Sequence, residues 1–149
     1  MKRVEFIINP ISGTVSKAGI PEAIDEYLDK SKFSYEIVET QYAGHAEELA
    51  KKAAAEGVDV VVAIGGDGTV NEVARGITHT STALGIIPCG SGNGLARHLL
   101  IPINVKKSIE IINECEIHDL DYCTINGHDF FCTCGMGFDA QVAFDFANA

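Results

Sequence analysis

Apolar residues fall in short unbroken runs separated by amphipathic stretches. Residues 58–64 are apolar except for Asp59, residues 83–88 are apolar throughout, and residues 3–8 form a third run in which only Arg3 and Glu5 are polar. Runs this short and β-branched predict strands buried on both faces, as in a parallel sheet. Residues 34–40 alternate instead, with Tyr35 and Ile37 on one side, and predict a fourth strand. Helical spacing fills the intervals. It covers 21–30 (Ala23, Ile24, Tyr27, Leu28), 45–56 (Ala46, Leu49, Ala50, Ala53, with Gly57 as the stop), 70–77, 95–100 and 105–114. Strands alternating with helices imply right-handed crossovers, and hence an α/β fold: a three-layer α/β/α sandwich around a mainly parallel sheet.

After Glu116 the texture changes. Residues 117–125 and 130–134 read as strands joined through Asn126-Gly127, a strong hairpin signal. The expected division is an α/β domain over 1–116 and the start of a second, mainly β domain over 117–149.

Three of the strand runs break into turns rich in glycine. Residues 58–64 lead into Gly65-Gly66-Asp67-Gly68-Thr69, residues 83–88 into Gly90-Ser91-Gly92-Asn93-Gly94, and residues 3–8 into Asn9-Pro10-Ile11-Ser12-Gly13. A turn between the carboxyl end of a strand and the amino end of a helix presents free N–H groups and the positive end of the helix dipole to an anion. Glycine lets the main chain approach such a ligand closely. One such turn is as well explained as a tight connection, but the repetition favours a phosphate site. Asp67 adds chemistry, because a carboxylate there repels phosphate unless a metal ion or a hydroxyl proton lies between them. The turn at 9–13 lacks the lysine of a G-x-x-x-x-G-K-[ST] loop, so it is not a standard P-loop.

Charge and cysteine content narrow the partners. The 149 residues carry 11 basic and 21 acidic side chains, a net charge of −10, which argues against nucleic acid. No run approaches the ~18 apolar residues of a membrane span, and Met1-Lys2-Arg3 leads straight into a strand, so neither anchor nor signal peptide is expected and the location is read as cytoplasmic. The five cysteines form no C-x-x-C pair. Cys132 and Cys134, alternating in a strand pattern, are expected to be buried thiols. The five histidines are too scattered to suggest a metal centre.

The elements at 9–13, 65–73 and 85–97, in this order and spacing, closely resemble the catalytic domain of the diacylglycerol kinase and sphingosine kinase family of lipid kinases. The implied fold is the Rossmann-like α/β domain shared with NAD kinases, followed by a β-sandwich. The resemblance implies ATP and Mg2+ as cofactors, with Asn9, Ser12, Gly13, Thr40, His45, Gly65, Gly66, Gly68, Thr69, Glu72, Gly90, Ser91 and Asn93 around the nucleotide. It makes Asp67 the catalytic residue that activates the acceptor hydroxyl, directly or through metal-bound water. Without the resemblance His45 reads as an ordinary surface residue. Asp67 and Asp121 are the implied metal positions; a solvated strand-end carboxylate is the competing reading of Asp121, and Asp119 fits the register less well. Asp139 is either a substrate residue or a helix cap. Gly94 departs from the acidic residue that many bacterial members place there, so a third metal carboxylate is not carried over. Family members run to about twice this length, so the expectation is a nucleotide-binding fragment, with little or no lipid kinase activity alone. A lipid substrate at the inner membrane face would be reached through the second domain, and a homodimer stays open. Two other functions compete: a kinase of a soluble acceptor such as NAD, and a non-catalytic nucleotide-binding module.

Overall fold

In the computed structural model, residues 1–11, 16–132, 140–142 and 145 are described. Four parallel strands, β1 (Lys2–Ile8), β2 (Phe33–Glu39), β3 (Val60–Gly65) and β4 (Ala83–Pro88), lie in the order β2-β1-β3-β4. Every residue of β3 is buried, as its unrelieved apolar run requires of a central strand covered on both faces.

The two-residue period of the strands sorts the core into two layers. Val4, Phe6 and Ile8 of β1, with Val62 and Ile64 of β3, pack beneath α1 (Ile20–Tyr27) and, through Ile109 and Ile112, beneath a helix at Val105–Glu114. Ile7, Val61 and Ala63 face the opposite way. They pack against α2 (His45–Ala55) and α3 (Asp67–Ile77). A five-residue helix, α4 (Gly94–His98), follows β4, which makes the Val105–Glu114 helix α5. The expected three-layer α/β/α arrangement is thus the observed one. No helix among the described residues is long and apolar enough to cross a membrane.

Several boundaries differ from those expected, each for a local reason. α1 ends at Tyr27 rather than 30, because Leu28 turns extended and Asn113 of α5 takes over the chain there, donating to Tyr27 O at 2.8 Å and accepting from Asp29 N at 2.9 Å. Helix α3 begins at Asp67 rather than 70, so the glycine turn is itself the first turn of the helix. Helix α4 stops at His98, leaving Leu99 and Leu100 exposed. The hairpin strands shrink to β5 (Cys123–Ile125) and β6 (His128–Phe130), a separate antiparallel pair with Asn126 and Gly127 both at positive φ. That turn is the tight hairpin connection the Asn-Gly pair implies. Residues 116–122 are exposed apart from Leu120 and Tyr122, and form no ladder. Cys132 is exposed rather than buried, since β6 ends before it and the strand alternation no longer applies. Cys134 lies outside the described residues.

Candidate functional site

Parallel strands in one sheet end on the same side, so the order β2-β1-β3-β4 brings the turns after β1, β3 and β4 together at one edge. Main-chain bonds tie them there. Asn9 N donates to Ile64 O (3.1 Å), Cys89 N to Gly65 O (2.8 Å) and Thr40 N to Ile8 O (2.8 Å).

The two glycine turns touch backbone to backbone. A Cβ placed on Gly90 would stand 2.6 Å from Gly66 Cα, so only glycine permits this approach. Asn93, 3 % exposed and left-handed at φ 52, closes the second turn: its Oδ1 accepts from Gly90 N (2.8 Å) and its Nδ2 donates to Gly90 O (2.7 Å). Both ends of its amide are therefore engaged in shaping the loop. Arg97 Nε donates to Gly92 O (2.8 Å), bracing the same loop from α4.

Asp67 lies in the first turn of α3 and is exposed. Its Oδ1 accepts from Gly94 N at 2.6 Å, and its Oδ2 faces Gly92, where a Cβ would stand 2.7 Å away. One carboxylate thus links the two turns. It also carries a favourable negative charge at the positive end of an 11-residue helix. A Cβ on Gly94 would stand 2.6 Å from Cys132 Sγ, so the thiol fills the space a side chain at 94 would need.

The first turn joins through Asn9. Its Nδ2 donates to the hydroxyl of Thr69 (3.3 Å), a buried residue of α3, and its Oδ1 accepts from Ile11 N (3.1 Å). Helix α1 starts well beyond this turn, at Ile20. Ser12 and Gly13 lie outside the described residues, as does Asp139.

On the β2 side, Thr40 is buried at the strand end, and His45 accepts from Gln41 N at Nδ1 (3.1 Å) while stacking on Tyr42 at 4.4 Å. Glu72 of α3 reaches across to accept from Gly44 N (3.1 Å). Gly65 ends β3, Gly68 is exposed beside Asp67, and Ser91 is exposed at the tip of the second turn.

Asp121 is exposed in 116–122, just before Tyr122, whose hydroxyl meets His79 Nε2 (2.8 Å) beyond the far end of α3. Among the described residues no group of three or more His, Cys, Asp or Glu side chains gathers to hold a metal ion. The expected Asp67 and Asp121 pair is therefore not accompanied by a protein-only cage. Magnesium does not require one, since it commonly takes one or two carboxylates and completes its shell with phosphate oxygens and water.

Two cations at this edge escaped the sequence reading, Lys17 and Arg97. Lys17 Nζ donates to Asn9 O at 2.5 Å, and burial pushes its pKa down while the neighbouring Cys89 thiol, itself raised by burial, draws it back up. A cation spaced eight residues from its partner across a turn has no periodic signature.

A parallel α/β domain whose glycine turns meet along the carboxyl edge of the sheet belongs to the class in which such edges hold ligands. Residues 3–125 match the diacylglycerol kinase catalytic domain, and the chain belongs to that family. It is 33 % identical over 147 residues to a diacylglycerol kinase of Staphylococcus saprophyticus subsp. saprophyticus, a match covering 97 % of this chain and 48 % of that protein. A diacylglycerol kinase of Staphylococcus aureus (strain JH9) is likewise 33 % identical, with 97 % and 46 % covered. The crystal structure of a diacylglycerol kinase from Bacillus anthracis str. Sterne superposes with a TM-score of 0.76 at 28 % identity, over 87 % of this chain and 45 % of that one. The chain spans about half the length of the curated relatives it matches.

Proposed function

We propose that this chain is the nucleotide-binding part of an ATP-dependent lipid kinase that passes the γ-phosphate to a lipid hydroxyl, diacylglycerol being the first acceptor to test. The observation that carries the reading is the junction of the two glycine turns, Gly66 against Gly90, with Asp67 Oδ1 held by Gly94 N–H. In this reading the triphosphate lies along the shared edge of the three turns. Main-chain N–H groups of the first turn of α3 face its phosphates, and Asn9 and Thr69 fix that helix start against β1.

Phosphoryl transfer depends mostly on positioning and charge stabilisation. An alcohol is a weak acid, so its proton needs an acceptor as the new bond to phosphorus forms. The lipid oxygen bonds to the γ-phosphorus, the bond from that phosphorus to the β,γ-bridging oxygen breaks, ADP leaves, and the hydroxyl proton passes to Asp67 Oδ2. The Gly94 N–H on Oδ1 aims the carboxylate throughout. Phosphate oxygens and water would make up the shell of Mg2+, which when bound neutralises charge on the phosphates.

The test is transfer of labelled phosphate from ATP to diacylglycerol, sphingosine and NAD by the full encoded protein. Transfer to a lipid acceptor is expected. Transfer to NAD alone would reassign the enzyme to a soluble acceptor, and ATP binding without transfer to any acceptor would leave a non-catalytic module.

A further inference from the structure

We infer that residues 99–107, the exposed leucines after α4 together with the lysines that open α5, form a docking surface for an anionic lipid bilayer. Helix α4 ends in an unusual cap. Leu100 N donates to Arg97 O (3.1 Å) and Ile101 N to Ala96 O (2.8 Å), the paired bonds of a Schellman motif, whose left-handed residue is ordinarily glycine. Here that residue is Leu100, at φ 58 and 86 % exposed. Glycine would ease the backbone and take an apolar side chain out of water, so neither conformation nor packing among the described residues accounts for the leucine. Leu99 before it and Ile103 after it are also exposed, at 41 % and 47 %, while Ile101 between them is half-buried against the core. The segment leads past the edge strand β4, from the layer that holds Leu95, Ala96 and Ile101 to the layer that holds Ile109 and Ile112.

Charge indicates what these side chains meet. In a chain at −10, residues 73–109 hold none of the 21 acidic side chains and four of the 11 basic ones, Arg75, Arg97, Lys106 and Lys107. The last three are exposed and lie within seven residues of Leu100 in the sequence. Projecting apolar side chains flanked by cations, with no acid among them, suit insertion at the level of anionic head groups. The remainder of the surface is strongly acidic and is repelled by such a membrane, so the bilayer is met from this side. A protein partner is less well served, because two leucines and an isoleucine offer far less than the ~800 Å² each side gives to a standard interface.

The use of this surface in phosphate transfer rests on the lipid kinase reading above. Gly94 N–H, which holds Asp67 Oδ1, opens α4, and Leu99 and Leu100 follow the end of the same five-residue helix, about 7–8 Å long. Docking through Leu100 would bring the carboxylate towards the level at which a membrane-borne acceptor carries its hydroxyl.

Sedimentation of the full encoded protein with vesicles tests the surface without recourse to catalysis. Mixed phosphatidylglycerol and phosphatidylcholine vesicles are compared with phosphatidylcholine alone, for wild type, Leu100→Asn, and Lys106→Gln combined with Lys107→Gln. Wild type should bind the anionic vesicles, and less tightly in high salt. Leu100→Asn, which tolerates the left-handed cap, should keep the wild-type melting temperature and weaken binding about tenfold. The double lysine variant should weaken binding to the anionic vesicles about as much. Wild-type protein that ignores those vesicles, or binding that the variants leave unchanged, would overturn the proposal. So would a Leu100→Asn protein that melts earlier, which would assign the leucine to another part of the chain, or one that changes oligomeric state, which would assign it to a second copy. Phosphate transfer separates the surface from the reading beneath it. Leu100→Asn should lose transfer to diacylglycerol in vesicles and keep transfer to a water-soluble short-chain diacylglycerol, whereas wild type that binds vesicles but phosphorylates neither would sink the kinase reading and leave the docking surface standing.

Discussion

Asp67 illustrates how one side chain can serve the fold and the chemistry through different atoms. Oδ1 is committed to Gly94 N–H and Oδ2 faces the glycine at 92. Asp67→Asn can keep an oxygen towards Gly94 but cannot take a proton from an alcohol. The variant is expected to lose about 10²–10⁴-fold in turnover while still binding ATP, measured by phosphate transfer beside calorimetry; unchanged turnover would remove the assignment. Gly92→Ala probes the other oxygen. Its methyl would start 2.7 Å from Oδ2 and must push the carboxylate aside, so turnover should fall while the melting temperature barely moves. Asn93 is the contrast. Buried, left-handed and bonded twice to Gly90, it shapes the loop, and Asn93→Ala forfeits both bonds and leaves the strained φ to a residue poorly suited to it. A loss of about 2–3 kcal/mol in urea denaturation is expected, with Asn93→Gly losing less because it relieves the backbone.

At the scale of the elements, the pattern of apolar positions located all four parallel strands and the helices between them, because burial on two faces leaves no polar residue to blur a central strand. Boundaries were less legible where a distant residue sets them, as Asn113 of α5 does at the end of α1. The glycine turns were visible as motifs, but their mutual contact was not, since strand order is a property of the sheet rather than of any segment. Lys17 was invisible for the same reason. Gly76 belongs here too. A glycine inside a helix ordinarily costs stability relative to alanine, yet in α3 a Cβ at 76 would stand 2.7 Å from both Ala50 Cβ and Glu47 O of α2. The alanines of α2 and the glycine of α3 are one device for bringing the two helices close, held at its rim by Arg75 Nε on Glu47 Oε2 at 3.0 Å. Gly76→Ala should therefore destabilise by about 1–3 kcal/mol despite its better helix propensity, as read from chemical denaturation. A neutral or stabilising result would mean that the helices can separate freely.

At the scale of the whole molecule, the excess of acid has one internal expression among the described residues, Glu5 on the inner strand β1. It stands in register with Glu36 of β2, with Glu56 close by at the end of α2. Burial first, and then these two carboxylates, hold its pKa above the ordinary glutamate value, with Lys52 and Arg3 opposing. A raised pKa in the folded state means that the fold binds this proton more tightly than the unfolded chain does. The resulting stabilisation is complete below the unfolded value, near pH 4, and is lost as pH rises through the folded one. Glu5→Gln, which keeps the shape and removes the charge, should therefore match wild type in acid and become the more stable protein towards neutrality. Urea midpoints measured between about pH 3.5 and 8 would trace the divergence, and added salt should narrow only the share owed to Glu36 and Glu56, because screening weakens like-charge repulsion and leaves the cost of burial in place. Parallel curves across that range would mean that Glu5 ionises in the fold as freely as in the unfolded chain.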